Sequence, residues 1–253
     1  WNNLTSLRTQ GHKAVANLYT EWLSTARPTQ ITPQGDWNIW LILAGRGWGK
    51  TRTGAADAML YALRNPNVQV AVITPTFGDI RRVAFGGVSG ILKTMPEGCM
   101  LAGRGQGYNS SASEIRLFNG SIIYGFSATE PDRLRGPQFH RAWCDELAAW
   151  RYPETFDQLM FALRLGKNPQ CIITTTPRPT PLIRRLLERN DVVVTTGSTF
   201  ENEANLASST LAMLKEKYEG TTLGRQELYA EVLDNLEGAL WNNSMIDAAR
   251  RPK

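Results

Sequence analysis

The sequence predicts an α/β fold, a mostly parallel sheet with helices on both faces, and three observations support that expectation. Apolar runs at Trp37–Leu43, Val68–Ile73, His140–Cys144 and Cys171–Thr176 lack the alternation of one-sided strands and read as strands covered on both faces. Helical spacing separates them, over Lys50–Leu63, Pro153–Leu165 and residues 182–189. A glycine-rich turn, Ala44-Gly45-Arg46-Gly47-Trp48-Gly49-Lys50-Thr51, joins the first strand directly to the first helix, the connection from which parallel sheets are built.

Taken in order, residues 1–36 read as an amphipathic helical arm and a turn-rich stretch, Arg27 to Pro33. After the first strand, Asn65-Pro66 stops the helix that begins at Lys50. The strand at 68–73 follows, then helical spacing from Phe77 to Met95 and a glycine-rich loop over 103–107. Asn119-Gly120 divides Glu114–Phe118 from Ser121–Phe126 and predicts a hairpin with a two-residue turn. The basic stretch Asp132–Pro137 leads into a strand that ends in Asp145-Glu146. Val192–Thr195 reads as a further strand, and from residue 201 the pattern is helical only, running to Arg250-Arg251-Pro252-Lys253. No internal repeat or low-complexity block is visible.

Composition narrows the function classes. With 253 residues and 42% apolar content the chain buries a large core and is no disordered tail. A formal charge of +5 suits a polyanionic partner without proving one. Cys99, Cys144 and Cys171 lack metal-ligand spacing and read as buried free thiols in a reducing compartment. His12 and His140 are the only histidines, which leaves little material for a histidine metal site or a Ser-His-Asp triad. No apolar run is long enough to cross a bilayer, so a cytosolic protein with no membrane partner is expected. With Trp1 rather than Met at its start, the sequence is expected to begin inside a longer chain.

The loop at 44–51 has the composition of a phosphate-binding loop, with Ala44 at the usual first glycine position. Gly45, Gly47 and Gly49 allow backbone N–H groups, Trp48's among them, to turn toward phosphate oxygens at a helix N-terminus. Lys50 then reaches the β- and γ-phosphates and the Thr51 hydroxyl a place on Mg²⁺, which makes a nucleoside triphosphate with Mg²⁺ the expected ligand. Asp145, at a strand's carboxyl end, is a second place for Mg²⁺, and Glu146 a base for the attacking water. The plainer reading has Asp145 capping the next helix and Glu146 as a solvated first-turn acid. The extra strand at 68–73, lying between the strands of the two motifs, favours a hydrolase arrangement over a small kinase.

These segments, together with Arg27-Pro28-Thr29-Gln30, Leu134-Arg135-Gly136-Pro137, Trp143-Cys144-Asp145-Glu146-Leu147, Thr174-Thr175-Thr176-Pro177 and Gly224-Arg225-Gln226-Glu227, resemble the ATPase domain of the large terminase subunit of tailed bacteriophages. The resemblance implies a P-loop NTPase of the additional-strand, catalytic-glutamate type. It implies a core with its helical arm over 1–200, a small helical lid over 201–237, and over 238–253 the start of a linker to an absent carboxyl-terminal nuclease. No cleavage activity is therefore expected here. Gln30 resembles a glutamine that reads the adenine edge, with an ordinary turn residue as the alternative. Arg46 resembles a γ-phosphate sensor or stabiliser, and Arg135 an arginine finger acting in trans, with Arg133 or a plain basic loop as the competitors. Thr174, Thr175 and Thr176 resemble the motif coupling phosphate state to motion; the alternative is that threonines suit a strand.

The implied function is ATP-driven translocation of double-stranded DNA into a procapsid, by a homo-oligomeric ring working with a portal protein and a small terminase subunit at the portal in the host cytoplasm. Arg104, between Gly103 and Gly105, is a candidate for a close phosphate contact, with Arg81, Arg82, Arg184, Arg185 and Arg189 as further positive charge. Two other readings stay open: a nucleic-acid helicase, although such enzymes usually pair two cores and one phosphate loop is visible, and a nucleotide-gated assembly module with little turnover.

Overall fold

The computed structural model describes residues 2–102 and 106–233. Along the chain run α1 (Asn2–Thr25), β1 (Ile39–Ala44), α2 (Lys50–Arg64), β2 (Gln69–Thr74), the short α3 (Phe77–Asp79) and α4 (Ile91–Thr94), and then β3 (Tyr108–Asn109), β4 (Glu114–Arg116) and β5 (Ile122–Ser127). They continue with β6 (Arg141–Asp145), α5 (Glu154–Ala162), β7 (Gln170–Thr175), α6 (Pro181–Leu187), β8 (Val192–Gly197), α7 (Ser208–Tyr218) and α8 (Thr222–Glu227). Among the described residues no helix is long and apolar enough to cross a membrane.

One sheet holds the eight strands in the order β3-β4-β5-β2-β6-β7-β1-β8. From β5 to β8 every pairing is parallel, and β4 and β3 extend it antiparallel. Alternate residues of one strand serve different cores. Trp40 and Ile42 of β1 pack with Val72, Trp143 and Ile172 beneath α1 and α2, while Ile39, Leu41 and Leu43 pack with Ile73, Cys144 and Ile173 beneath α5 and α6. This explains why the strands read as continuous apolar runs. Helix α2 lies close on the sheet because its face is small: a Cβ on Gly54 would stand 2.2 Å from the Trp143 ring.

Three expectations are corrected. The strand between the phosphate-loop strand and the Asp145 strand is β7, whereas β2, at 69–74, lies on the far side of β6. Strands buried on both faces have no sequence signal for lateral order. Residues 77–95 form no single helix; a π-helical turn, Ile80–Phe85, separates α3 from α4. The chain breaks at Gly86, Gly87 and Gly90, where a Cβ would meet main-chain carbonyls at 2.4–2.7 Å. The hairpin register, Arg116 opposite Ile122, leaves a three-residue loop, Phe118-Asn119-Gly120, closed by Leu117 N–H donating to Ser121 O at 2.9 Å. Gly120, at φ 85°, takes the left-handed position that such a loop requires.

Candidate active site

The phosphate loop joins the carboxyl end of β1 to the amino end of α2. Gly47 at φ 80° and Gly49 at φ 105° supply its left-handed turns. Gly45 does not share that role; its glycine is required by crowding, because a Cβ there would stand 2.6 Å from Leu228 O and 2.7 Å from Thr199 Oγ1. Ala44 closes β1, and its carbonyl takes a hydrogen bond from Lys50 Nζ at 2.9 Å, as Gly45 O does at 3.1 Å. The lysine thus folds back on neutral carbonyls, with Glu146 Oε1 at 3.8 Å. Burial lowers its pKa, and the charges of Glu146, Asp145 and Glu227 oppose that shift.

Asp145 is the last residue of β6 and only 3% exposed. It faces Thr174 of β7 in register and accepts a hydrogen bond from Thr174 Oγ1 at 2.8 Å, while Thr174 accepts one from Trp143 Nε1 at 2.8 Å. The Asp145 side chain therefore points across the sheet rather than capping a helix. Burial, reinforced by the charge of Glu146, raises its pKa to about 7. Glu146 sits at φ 48°, ψ 48°, a left-handed conformation that costs a non-glycine residue roughly 1–2 kcal/mol. The bend turns its carboxylate toward β7's end, where Thr176 N–H and Oγ1 donate to Oε2 at 3.3 and 3.4 Å. Thr175 faces elsewhere, accepting from Ala148 N–H.

A cavity of about 720 Å³ opens over these groups, lined by Arg46, Lys50, Thr51, Asp145, Glu146 and Thr176 among others. It is sited where open parallel sheets place ligands, beyond the strands' carboxyl ends. Its size and donors suit a nucleotide: two left-handed glycines leave the loop free of side chains at the turns, Lys50 and Glu146 approach to 3.8 Å, and Thr51 and Asp145 give the lining a hydroxyl and a carboxylate, the oxygen donors that Mg²⁺ takes.

Other predicted residues are placed differently. Gln30 is buried under the loop, not on the cavity wall; its amide donates to Thr53 Oγ1 at 3.1 Å and accepts from Arg27 N–H at 3.1 Å. Trp48 is fully buried, donates from Nε1 to Glu201 at 3.0 Å, and lies so near Gly197 that a Cβ there would come within 2.0 Å of its ring. Arg46 is 75% exposed at the cavity mouth, its Nε 3.5 Å from Glu227 Oε2. Arg135 and Arg133 stand on an exposed turn paired with Asp132 and Glu130 at 3.0 and 2.7 Å, away from the cavity lining. Arg104 lies outside the described residues, as do 234–253 of the expected lid and linker. Arg81 donates to Ser110 O, and Arg185 and Arg189 pair with Asp157 and Asp191.

The cavity also takes residues the sequence reading missed. Asp79 lines it, held at the start of α3 in a reciprocal cap with Thr76; the pattern Thr-Phe-Gly-Asp after an apolar strand was a signal for it. Asn202 lines it too, donating to Gly47 O at 2.7 Å and accepting from Arg27 Nη1 at 2.9 Å. Asn205 and Arg178 complete this side, and no local pattern distinguishes them.

Residues 41–248 match the family described as terminase large subunit, T4likevirus-type, N-terminal. No curated protein matches. Among solved structures, the large terminase ATPase domain of Thermus phage P74-26 superposes with a TM-score of 0.65 at 16% identity, over 83% of this chain and 94% of that one. The large terminase of a second thermophilic bacteriophage superposes at 0.61 with 13% identity, over 85% of this chain. The complex of that second enzyme with ATP-gamma-S superposes at 0.60 with 14% identity, over 87% of this chain. This chain spans about half the length of the second phage's protein, 52% in both structures. The fold is thus that of large terminase ATPase domains, and with most of its length matched the chain belongs to the T4-like-virus-type family of terminase large subunit N-terminal domains.

Proposed function

We propose that this chain binds ATP with Mg²⁺ at the carboxyl end of its sheet and hydrolyses it, and that hydrolysis drives double-stranded viral DNA into a procapsid. The observation that supports this best is the convergence of Lys50, Asp145 and Glu146 on one cavity, with Lys50 Nζ 3.8 Å from Glu146 Oε1. In the nucleotide complex Lys50 exchanges the carbonyls of Ala44 and Gly45 for phosphate oxygens, a stronger, charge-assisted pairing. Thr51 and Asp145 hold the Mg²⁺, which when bound neutralises charge on the phosphate oxygens. Glu146, kept in place by Thr176, takes a proton from the attacking water. Thr174 ties Asp145 to the central strand, so the site's geometry is linked to β7 and to the segment beyond it.

Arg135 stands outside the cavity lining on an exposed turn, a placement suited to completing a neighbour's site in a homo-oligomeric ring. The portal protein and a small terminase subunit at the procapsid portal are the partners this reading supplies. The test is ATP turnover at rising protein concentration with duplex DNA. Glu146→Gln should keep ATP affinity and lose turnover by about 10²-fold or more, and mixing it with Arg135→Ala protein should restore turnover. Undiminished turnover by Glu146→Gln alone would remove the assigned base, and a mixture no more active than its components would remove the trans arginine.

A further inference from the structure

The carbonyls of the phosphate loop from Arg46 to Gly49 are each held by a group from outside the loop. Arg46 O accepts from Thr199 Oγ1 and Gly47 O from Asn202 Nδ2, both at 2.7 Å. Trp48 O accepts from Arg27 Nη2, and Gly49 O accepts from Thr53 N–H and Oγ1 at 3.0 and 3.1 Å. In a trans peptide the C=O of one residue and the N–H of the next point in opposite directions, so a tether on a carbonyl also aims an N–H. The peptides concerned adjoin Gly47 and Gly49, both left-handed, where no side chain resists rotation of a peptide plane. Their orientation therefore depends on the tethers.

Arg27 controls two of these peptides at once. Its guanidinium lies 4.8 Å from the centre of the Trp48 ring, gives Nη2 to Trp48 O and gives Nη1 to Asn202 Oδ1 at 2.9 Å. The second bond fixes the Asn202 amide with its NH₂ group toward Gly47 O. Arg27 itself stands outside the cavity lining, whereas Gly47, Gly49 and Lys50 belong to it. The Trp48 carbonyl is thus drawn away from the cavity and Gly49 N–H is turned the other way. Trp48 N–H rests on Gly45 O at a long 3.3 Å, a bond that a phosphate oxygen would replace with a stronger one.

We propose that Arg27 is a positioning residue: by holding the Trp48 carbonyl directly and the Gly47 carbonyl through Asn202, it keeps the N–H groups of Gly49 and Trp48 turned to the phosphates of the nucleotide. Without it either peptide turns over readily and presents a carbonyl oxygen to an anion. This rests on the reading of the cavity as an ATP site.

The experiment is calorimetric titration of the full chain with ADP and with ATPγS, each with Mg²⁺, in the unmodified protein, Arg27→Ala and Arg27→Lys, at a temperature where all three are folded. Arg27→Ala should weaken both nucleotides by about ten-fold, the loss of one hydrogen bond to a charged group. Arg27→Lys keeps the charge but not the fork; it should stay about five-fold weak and serves as the second reading should alanine impair folding. In glycine-labelled protein saturated with Mg·ADP, the Gly49 amide proton should move downfield in the unmodified chain and remain near its unliganded position in Arg27→Ala. Unchanged affinity in Arg27→Ala, with or without a lower melting temperature, would show a purely structural arginine. That result, full recovery by lysine, or an equal movement of the Gly49 amide in both proteins would each overturn the inference while leaving the ATP site intact. Failure of the unmodified chain to bind either nucleotide would overturn the ATP reading, and this inference with it.

Discussion

Strand β6 begins and ends in a buried charge, and the two ends treat that charge in opposite ways. At the amino end Arg141 forms a bidentate pair with Asp57, at 2.7 and 2.9 Å, with side chains 4% and 5% exposed. Thr32 donates to the same carboxylate at 2.7 Å, Gln170 accepts from the guanidinium, and the rings of Trp37 and Tyr61 lie 4.9 and 5.1 Å from its centre. Four residues on, Asp145 is as deeply buried, but its one side-chain hydrogen bond is to a neutral hydroxyl and its sequence neighbour is another acid. Lys50, the cation within reach, is committed to carbonyls. Burial is therefore not what separates a structural charge from a chemical one. The difference is whether the protein itself supplies the counter-charge, and on the function proposed above a metal ion and phosphates would complete what the chain leaves open at the carboxyl end.

That contrast can be broken from either end. Asp57→Ala should produce the largest stability loss, about 3–5 kcal/mol, because it strands a buried guanidinium. Urea unfolding would measure it, and ATP affinity at a temperature where both proteins are folded should be unchanged. A mild loss would mean that the pair is not the completed structure described. Asp145→Asn should act in the reverse direction. In folded protein free of divalent ions, Asp145 keeps its proton up to about pH 7, against an ordinary value of 3.8. Folding therefore favours the protonated acid, and the stability contribution is lost as pH rises through that window. Asparagine, which imitates the neutral acid, should match the unmodified chain near the lower value and exceed it by roughly 2–4 kcal/mol at neutral pH. Equal pH profiles for the two proteins in thermal melts would show that Asp145 is not under this strain.

The legible part of the molecule was what local chemistry fixes. The apolar runs announced doubly covered strands, the glycines before Lys50 a strand-to-helix turn, and Asp145-Glu146 a strand end with paired acids. What stayed hidden depends on contacts distant in sequence. That β7 lies between β1 and β6 is decided by packing, and it alone brings Thr174 against Asp145 and Thr176 against Glu146. Gly45 looked like conformational freedom, but its reason is the carbonyl of Leu228, far along the chain. Asn202 and Glu227 meet the loop through that same returning segment. The break at Gly86 and Gly87 was visible as composition, yet apolar spacing across 77–95 outweighed it in the helical reading.

The central claim, that the carboxyl end of the sheet is completed by a magnesium nucleotide, is tested most directly by thermal unfolding with and without Mg·ATPγS in the unmodified chain and in Lys50→Ala. The unmodified chain should gain about 5–10 °C at ligand 100-fold above its Kd, and Lys50→Ala, folded without ligand, should gain nothing at the same concentration. An equal gain in both proteins would contradict the account, since the nucleotide would then be held without the phosphate loop's lysine.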